Sequence, residues 1–148
     1  MGRSPVLNRE LTDLAARLYL TIGRLSRALR RSSATGLGHG STSALATTVR
    51  AGPLRIGDLA AREWVSAPTM TRIVSVLVNE GYVVREPDPA DGRGWLIRAT
   101  AYGEQMITKV RAARSQALLD RIGRLPVEQR DALLAALPAL EALADDSP

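Results

Sequence analysis

The stretch "WVSAPTMTRIVSVLVNEG" (64–81) constrains the fold more than any other part of the chain. Ser66 stands where a hydroxyl can accept from a free amide of a first helical turn. Pro68 is tolerated at a helix start, and Gly81 is the kind of residue that closes one. Between these marks Val74, Leu77 and Val78 continue an inward face at helical spacing. Directly before it, "LRIGDLAARE" (54–63) reads as a short helix, with only a few residues around "EWVSA" between the two. Directly after it come two β-prone runs, "YVVR" and "WLIRA", on either side of "EPDPADGRGW" (86–95). Two short helices joined by a tight turn form a helix-turn-helix, and a hairpin just beyond makes it a winged one. Two residues suffice to close a hairpin. The segment 86–95 therefore reads as a loop longer and stiffer than closure requires, with Arg93 at its tip between Gly92 and Gly94.

The flanks are helical. Leu7, Leu11, Leu14, Leu18, Ile22, Leu25 and Leu29 recur at steps of four and three, which predicts a long amphipathic helix from Val6 to Arg31. "SSATGLGHGS" (32–41) breaks it, and Ser41 or Thr42 is expected to cap a second helix that runs to about Ala51. Thr100 is placed to cap a fifth helix from Ala101 to about Ile122; Pro126 opens a sixth, which Pro138 is expected to kink. The predicted fold is mainly α with a small β-hairpin, in the order four helices, hairpin, two helices. Leu7, Leu11, Leu14, Val110, Ala117, Leu133, Leu137 and Leu140 form stripes longer than a winged lobe covers, so a partner subunit is expected to bury them.

Charge and the rarer residue types narrow the function. The net charge of +5 favours an anionic partner, yet residues 1–31 alone hold seven Arg against Glu10 and Asp13, while the rest nearly balances. Basicity permits nucleic-acid binding without locating it. No Cys is present, which excludes disulfides, thiolate metal sites and thiol redox sensing. His39, the one histidine, sits in "GLGHGS" between two helices, with no Lys-Ser/Thr beside it and no "G-x-S-x-G" anywhere. It reads as a loop residue. No catalytic residue, metal site or cofactor is expected, and the protein is not read as an enzyme. The opening "MGRSPVLNREL" lacks the apolar run of a signal peptide or membrane span, so a cytoplasmic protein with no membrane partner is expected.

Five fragments in register carry a resemblance. "DLA" precedes the turn, "S-x-x-T-x-T-R" opens the second helix of the motif and "L-x-x-x-G-Y-V-x-R" enters the wing. "D-x-R" marks the wing tip, and "T-x-x-G" opens the fifth helix. In this the chain resembles the MarR family of bacterial transcription regulators over nearly its whole length. Gly92 and Gly94 depart from the bulkier residues frequent beside the wing arginine, as does "RAT-AYG" where "LT" is usual. The resemblance implies one domain over 1–148, with a winged helix-turn-helix lobe at about 41–100 and a helical dimerisation region at 1–31 and 101–148. It implies a homodimeric regulator of double-stranded DNA, a repressor of a pseudo-palindromic operator, released by a small, often aromatic or phenolic, anionic effector.

The DNA-contacting residues expected on the recognition helix are Ser66, Pro68, Thr69, Thr71 and Arg72, since short hydroxyls and an arginine suit a helix that presents its first turns to bases and phosphates. On the wing they are Arg85, Asp91 and Arg93. An arginine at a wing tip enters a narrow A·T-rich minor groove, and Asp91 is implied to orient it or to cap the turn. Arg85 and Arg98 on the strands either touch phosphates or stand in solvent. For the effector the residues name no site; Tyr19, Arg50 and Tyr102 are the candidates on the first, second and fifth helices. The rival reading is a winged-helix adaptor for protein contacts without DNA binding, which salt-dependent binding to duplex DNA separates.

Overall fold

The computed structural model describes residues 5–33 and 35–145, with side chains from residue 8 onward. Six helices and three strands follow one another: α1 (Pro5–Arg31), α2 (His39–Ala51), β1 (Leu54–Arg55), α3 (Ile56–Arg62), α4 (Ala67–Asn79), β2 (Val83–Asp88), β3 (Asp91–Ala99), α5 (Ala101–Gly123) and α6 (Val127–Ala144). They fall into two units, residues 1–114 and 115–148.

The first unit is built on the predicted helix-turn-helix. Met70, Val74 and Leu77, spaced by four and three on α4, are fully buried against Leu45 of α2, Leu59 of α3, Val83 and Ile97 of the sheet and Ile107 of α5. Each such side chain contributes about 1.5–3 kcal/mol relative to exposure. Ser66 caps α4 by accepting from the Thr69 amide at 3.4 Å. Gly81, at φ 76°, stops it: the Gly81 amide donates to Val78 O and the Tyr82 amide to Leu77 O, the paired bonds of a Schellman motif.

Four local expectations are corrected. First, α2 begins at His39, not at Ser41 or Thr42. The extended backbone of Gly38 serves as its start, and the Thr42 hydroxyl donates back to Gly38 O at 3.2 Å. His39 is thus the exposed first residue of a helix rather than a loop residue. Second, Leu54 and Arg55 form a strand, so α3 is shorter than 54–63 and the sheet has three antiparallel strands in the order β1-β3-β2. Leu54 pairs with Ile97 and Arg55 with Leu96. Third, the wing has no long loop. Strand pairing runs on to Asp88↔Asp91, so Pro89 and Ala90 alone close it. Fourth, Val110 is buried by its own chain and needs no partner.

The outer stripe of α1 stays open: Leu11, Leu14, Ile22 and Leu25 are exposed, Leu14 by 59%. The side chain of Leu7 lies outside the described residues. In the second unit α6 runs through Pro138 to Ala144 with no buried residue, and it exposes Leu133, Leu134, Leu137 and Leu143, while Leu140 and Ala117 are half-buried.

Candidate nucleic-acid interface

Because Met70, Val74 and Leu77 take the inner face of α4, its first turns carry everything else outward. Ser66, Pro68, Thr69, Thr71 and Arg72 are all exposed at the free end of this helix. The Ser66 and Thr69 hydroxyls lie 2.9 Å apart, and the Thr71 hydroxyl donates to Ala67 O at 2.9 Å, which leaves its lone pairs outward. Arg72 has no ion-pair partner among the described residues. The arrangement is a rigid rod whose tip offers short acceptors and donors plus one guanidinium.

The wing differs in kind from the predicted arm. Pro87 pairs with Trp95, but the next pair is Asp88 with Asp91, so Gly92, Arg93 and Gly94 have no counterpart on β2 and form a bulge on β3. Such a bulge kinks a strand and re-aims its side chains. Arg93 therefore stands in the bulge rather than at the tip, and it is exposed. Asp91 Oδ1 accepts from the Arg93 amide at 3.2 Å, which makes Asp91 the group that shapes the bulge. A Cβ on Gly94 would lie 3.3 Å from Asp88 Cβ, so this glycine is fixed by packing against Asp88; at Gly92 nothing lies within 4 Å.

Two residues that sequence reasoning passed over hold this shape. Asp88, buried at the end of β2, accepts from the Ala90 amide at 2.9 Å and from Arg55 Nε at 2.7 Å. Arg55 also reaches Asp91 Oδ2 at 3.5 Å, so one guanidinium on β1 clamps both ends of the turn. The Ala90 amide, and then Arg55, hold the Asp88 carboxyl below its ordinary value, while the bond to Asp88 raises Arg55. The signals in the sequence were an arginine inside the β-prone "LRI" and an aspartate between two prolines. Arg85 is exposed beside Trp95, in a groove of about 350 Å³ that Arg55 and Ile97 also line. Arg98 pairs with Glu86 across the strands at 2.7 Å.

The wing is tied to α5 at its base. The Thr100 hydroxyl donates to Gly81 O at 2.7 Å and accepts from the Gly103 amide at 3.1 Å, which caps α5 as predicted. Tyr102 stacks on Tyr82 with ring centroids 4.8 Å apart.

The three effector candidates stand on different parts of the fold. Tyr19 is 78% exposed on α1, Tyr102 is stacked at the wing base, and Arg50 lines a cleft beside Trp64. A different set converges instead. Arg27, Arg30 and Arg31 at the end of α1, His39 and Thr42 of α2, and Arg114 of α5 line a cavity of about 600 Å³. Arg114 Nε donates to Ser33 Oγ at 2.9 Å. The signal for this set in the sequence is the run "RALRR" at the end of the first helix, just before the glycine-rich break. Among the described residues no group of three His, Asp or Glu side chains is placed to hold a metal ion. No helix among them is long and apolar enough to cross a membrane.

A family model described as MarR family matches residues 35–94. An HTH-type transcriptional regulator of Mycobacterium tuberculosis is 38% identical over 136 residues, 91% of this chain and 95% of the relative. Among solved structures, a transcriptional regulator from Thermotoga maritima superposes with a TM-score of 0.75 at 26% identity, covering 89% of this chain and 94% of that one. Apo wild-type MarR from E. coli superposes at 0.70 with 21% identity, covering 86% and 96%, a likeness of fold.

Proposed function

The chain belongs to the MarR family of helix-turn-helix transcriptional regulators, and from that we propose a homodimeric cytoplasmic repressor that reads a pseudo-palindromic operator. The observation that carries this reading is the exposed set Ser66, Pro68, Thr69, Thr71 and Arg72 at the free end of α4, with the Arg93 bulge on the wing next in the chain. The tip of α4 enters a major groove and the wing reaches the adjacent minor groove. Arg72 reads a base or a phosphate. Arg93 senses groove width and potential, and Asp91 acts through the bulge it shapes. Arg85 is a phosphate contact; Arg98, held by Glu86, is not.

Leu11, Leu14 and Ile22 on α1 are apolar surface that a second copy covers, and so, separately, are Leu133 and Leu137 on α6. A two-fold dimer sets two recognition helices about 34 Å apart, one duplex turn. The cavity lined by Arg27, Arg30, Arg31 and Arg114 suits a small anionic effector, whose carboxylate a guanidinium binds in bidentate fashion. Catalysis has no part in this reading.

The test is binding of the full chain to duplexes selected from a random pool, titrated with salt. Affinity should fall linearly in log–log form with a slope set by the number of phosphates engaged. Absence of any salt-dependent duplex binding would favour the adaptor reading.

A further inference from the structure

Both helices of the helix-turn-helix end in the same backbone motif. After α4 the Gly81 and Tyr82 amides donate to Val78 O and Leu77 O; after α3 the Trp64 and Val65 amides donate to Ala61 O and Ala60 O. The motif puts one residue in the left-handed region, where a Cβ crowds the backbone and glycine is the usual occupant. After α4 that residue is Gly81 at φ 76°. After α3 it is Trp64 at φ 55°, alone among the described non-glycine residues in having a positive φ. Its ring recovers nothing from the fold, being 94% exposed. Neither local backbone preference nor packing accounts for a tryptophan here.

Its surroundings are charged. Thr47 and Arg50 of α2, Arg62 and Glu63 at the end of α3, Trp64 and Arg111 of α5 line a cleft of about 430 Å³. The three guanidinium groups have no ion-pair partner among the described residues. Glu63 is held by the Thr47 hydroxyl, which ties the turn to α2. Three positive charges thus face one engaged carboxylate.

We propose that this cleft is a second DNA-backbone surface, gripping phosphates outside the half-site that α4 reads, with the Trp64 indole laid against a deoxyribose. The proposal rests on the DNA-binding reading of α4. Trp64 stands two residues before Ser66, the cap of that helix, so a duplex that receives the tip of α4 comes within reach of the turn. The occupant follows from charge: a duplex carries one negative charge per about 1.7 Å of axis, and guanidinium forks match phosphate oxygens.

The experiment uses the full chain and a selected duplex in two lengths, the half-sites alone and the same sequence extended by about half a helical turn at each end. Wild type should bind the longer duplex more tightly and with a steeper salt slope. Arg62→Ala and Arg50→Ala should each lower that slope by about one and leave the shorter duplex unaffected. Trp64→Gly, which suits the left-handed backbone, should weaken the longer duplex by about two- to fivefold, the loss of roughly 15–40 Å² of buried apolar surface, while the unfolding midpoint holds or rises. If wild type binds neither duplex, the reading of α4 fails together with this one. If wild type binds and all three variants match it on both lengths, the cleft alone is overturned. Loss of benzoate binding by these variants with DNA binding unchanged would also overturn it, in favour of a small-molecule site.

Discussion

Gly103→Ala should unfold the junction between wing and α5. A Cβ at this position would lie 2.2 Å from Tyr82 O and 3.1 Å from both Tyr82 C and Leu45 Cδ1, about 1 Å short of any tolerable separation from the oxygen. The carbonyl cannot withdraw cheaply, because it accepts the Thr100 amide at 3.0 Å. Leu45 is fully buried and has nowhere to swing. Overpacking of this kind costs about 1–3 kcal/mol. Pulling α5 back also strains the Gly103 amide to Thr100 bond, worth about 1 kcal/mol. Alanine gains at most about 1 kcal/mol of helix propensity over glycine. The net destabilisation is about 2 kcal/mol, a fall of roughly 4–8 °C in Tm for a chain of this size. Thermal unfolding followed by circular dichroism at one fixed protein concentration measures it. Gly57→Ala, where nothing lies within 4 Å, is the control and should be neutral or slightly stabilising. A Gly103→Ala protein that melts at or above the wild-type temperature would refute the close approach of α5 to Tyr82.

Arg72→Ala should cost about 1–3 kcal/mol per half-site and relax base preference; unchanged affinity and preference in a binding titration would remove Arg72 from the interface. Arg93→Ala should lower the salt slope by about one and lose the preference for flanking A·T pairs, with the far-UV spectrum unaltered because the residue is exposed. Asp91→Ala should lose part of the same affinity, since Asp91 Oδ1 holds the Arg93 amide; tighter binding would mean a solvated aspartate that merely repels phosphate. Asp88 has a folded-state pKa below its unfolded one, so its bonds contribute stability above the ordinary carboxylate range and lose it as pH falls through the lowered value. Carboxyl NMR of the folded protein should show that low titration point, and titration at or above the ordinary value would contradict the Arg55 and Ala90 bonds.

What was legible in the sequence was what local chemistry decides. Ser66, Pro68 and Gly81 delimit α4 because caps and stops act within a few residues, and Thr100 caps α5 for the same reason. One error is local, the start of α2, where the extended backbone of Gly38 stands in place of a side-chain cap; the others come from contacts between distant residues. β1 is two residues long and exists only because β3 supplies its partners more than forty positions later. Prolines and glycines in "EPDPADGRGW" imitate a loop, whereas pairing continues to Asp88 and the excess is taken up as a bulge that Arg55, 33 positions away, holds through Asp88. Val110 looked like part of an outer stripe, yet the first turns of α5 serve the same core as α4. The arginines at the end of α1 were counted, but Arg114 and His39 had to be folded beside them before a cavity existed.

Hydroxyl-radical and methylation footprinting of the full chain on its selected duplex tests most directly whether two copies of α4 enter successive major grooves beside two wings. Two protected major-groove windows should appear, related by a two-fold axis and centred about 10 base pairs apart, each flanked by minor-groove protection that Arg93→Ala removes. A single unsymmetrical window, or protection that survives Arg72→Ala and Arg93→Ala alike, would contradict it.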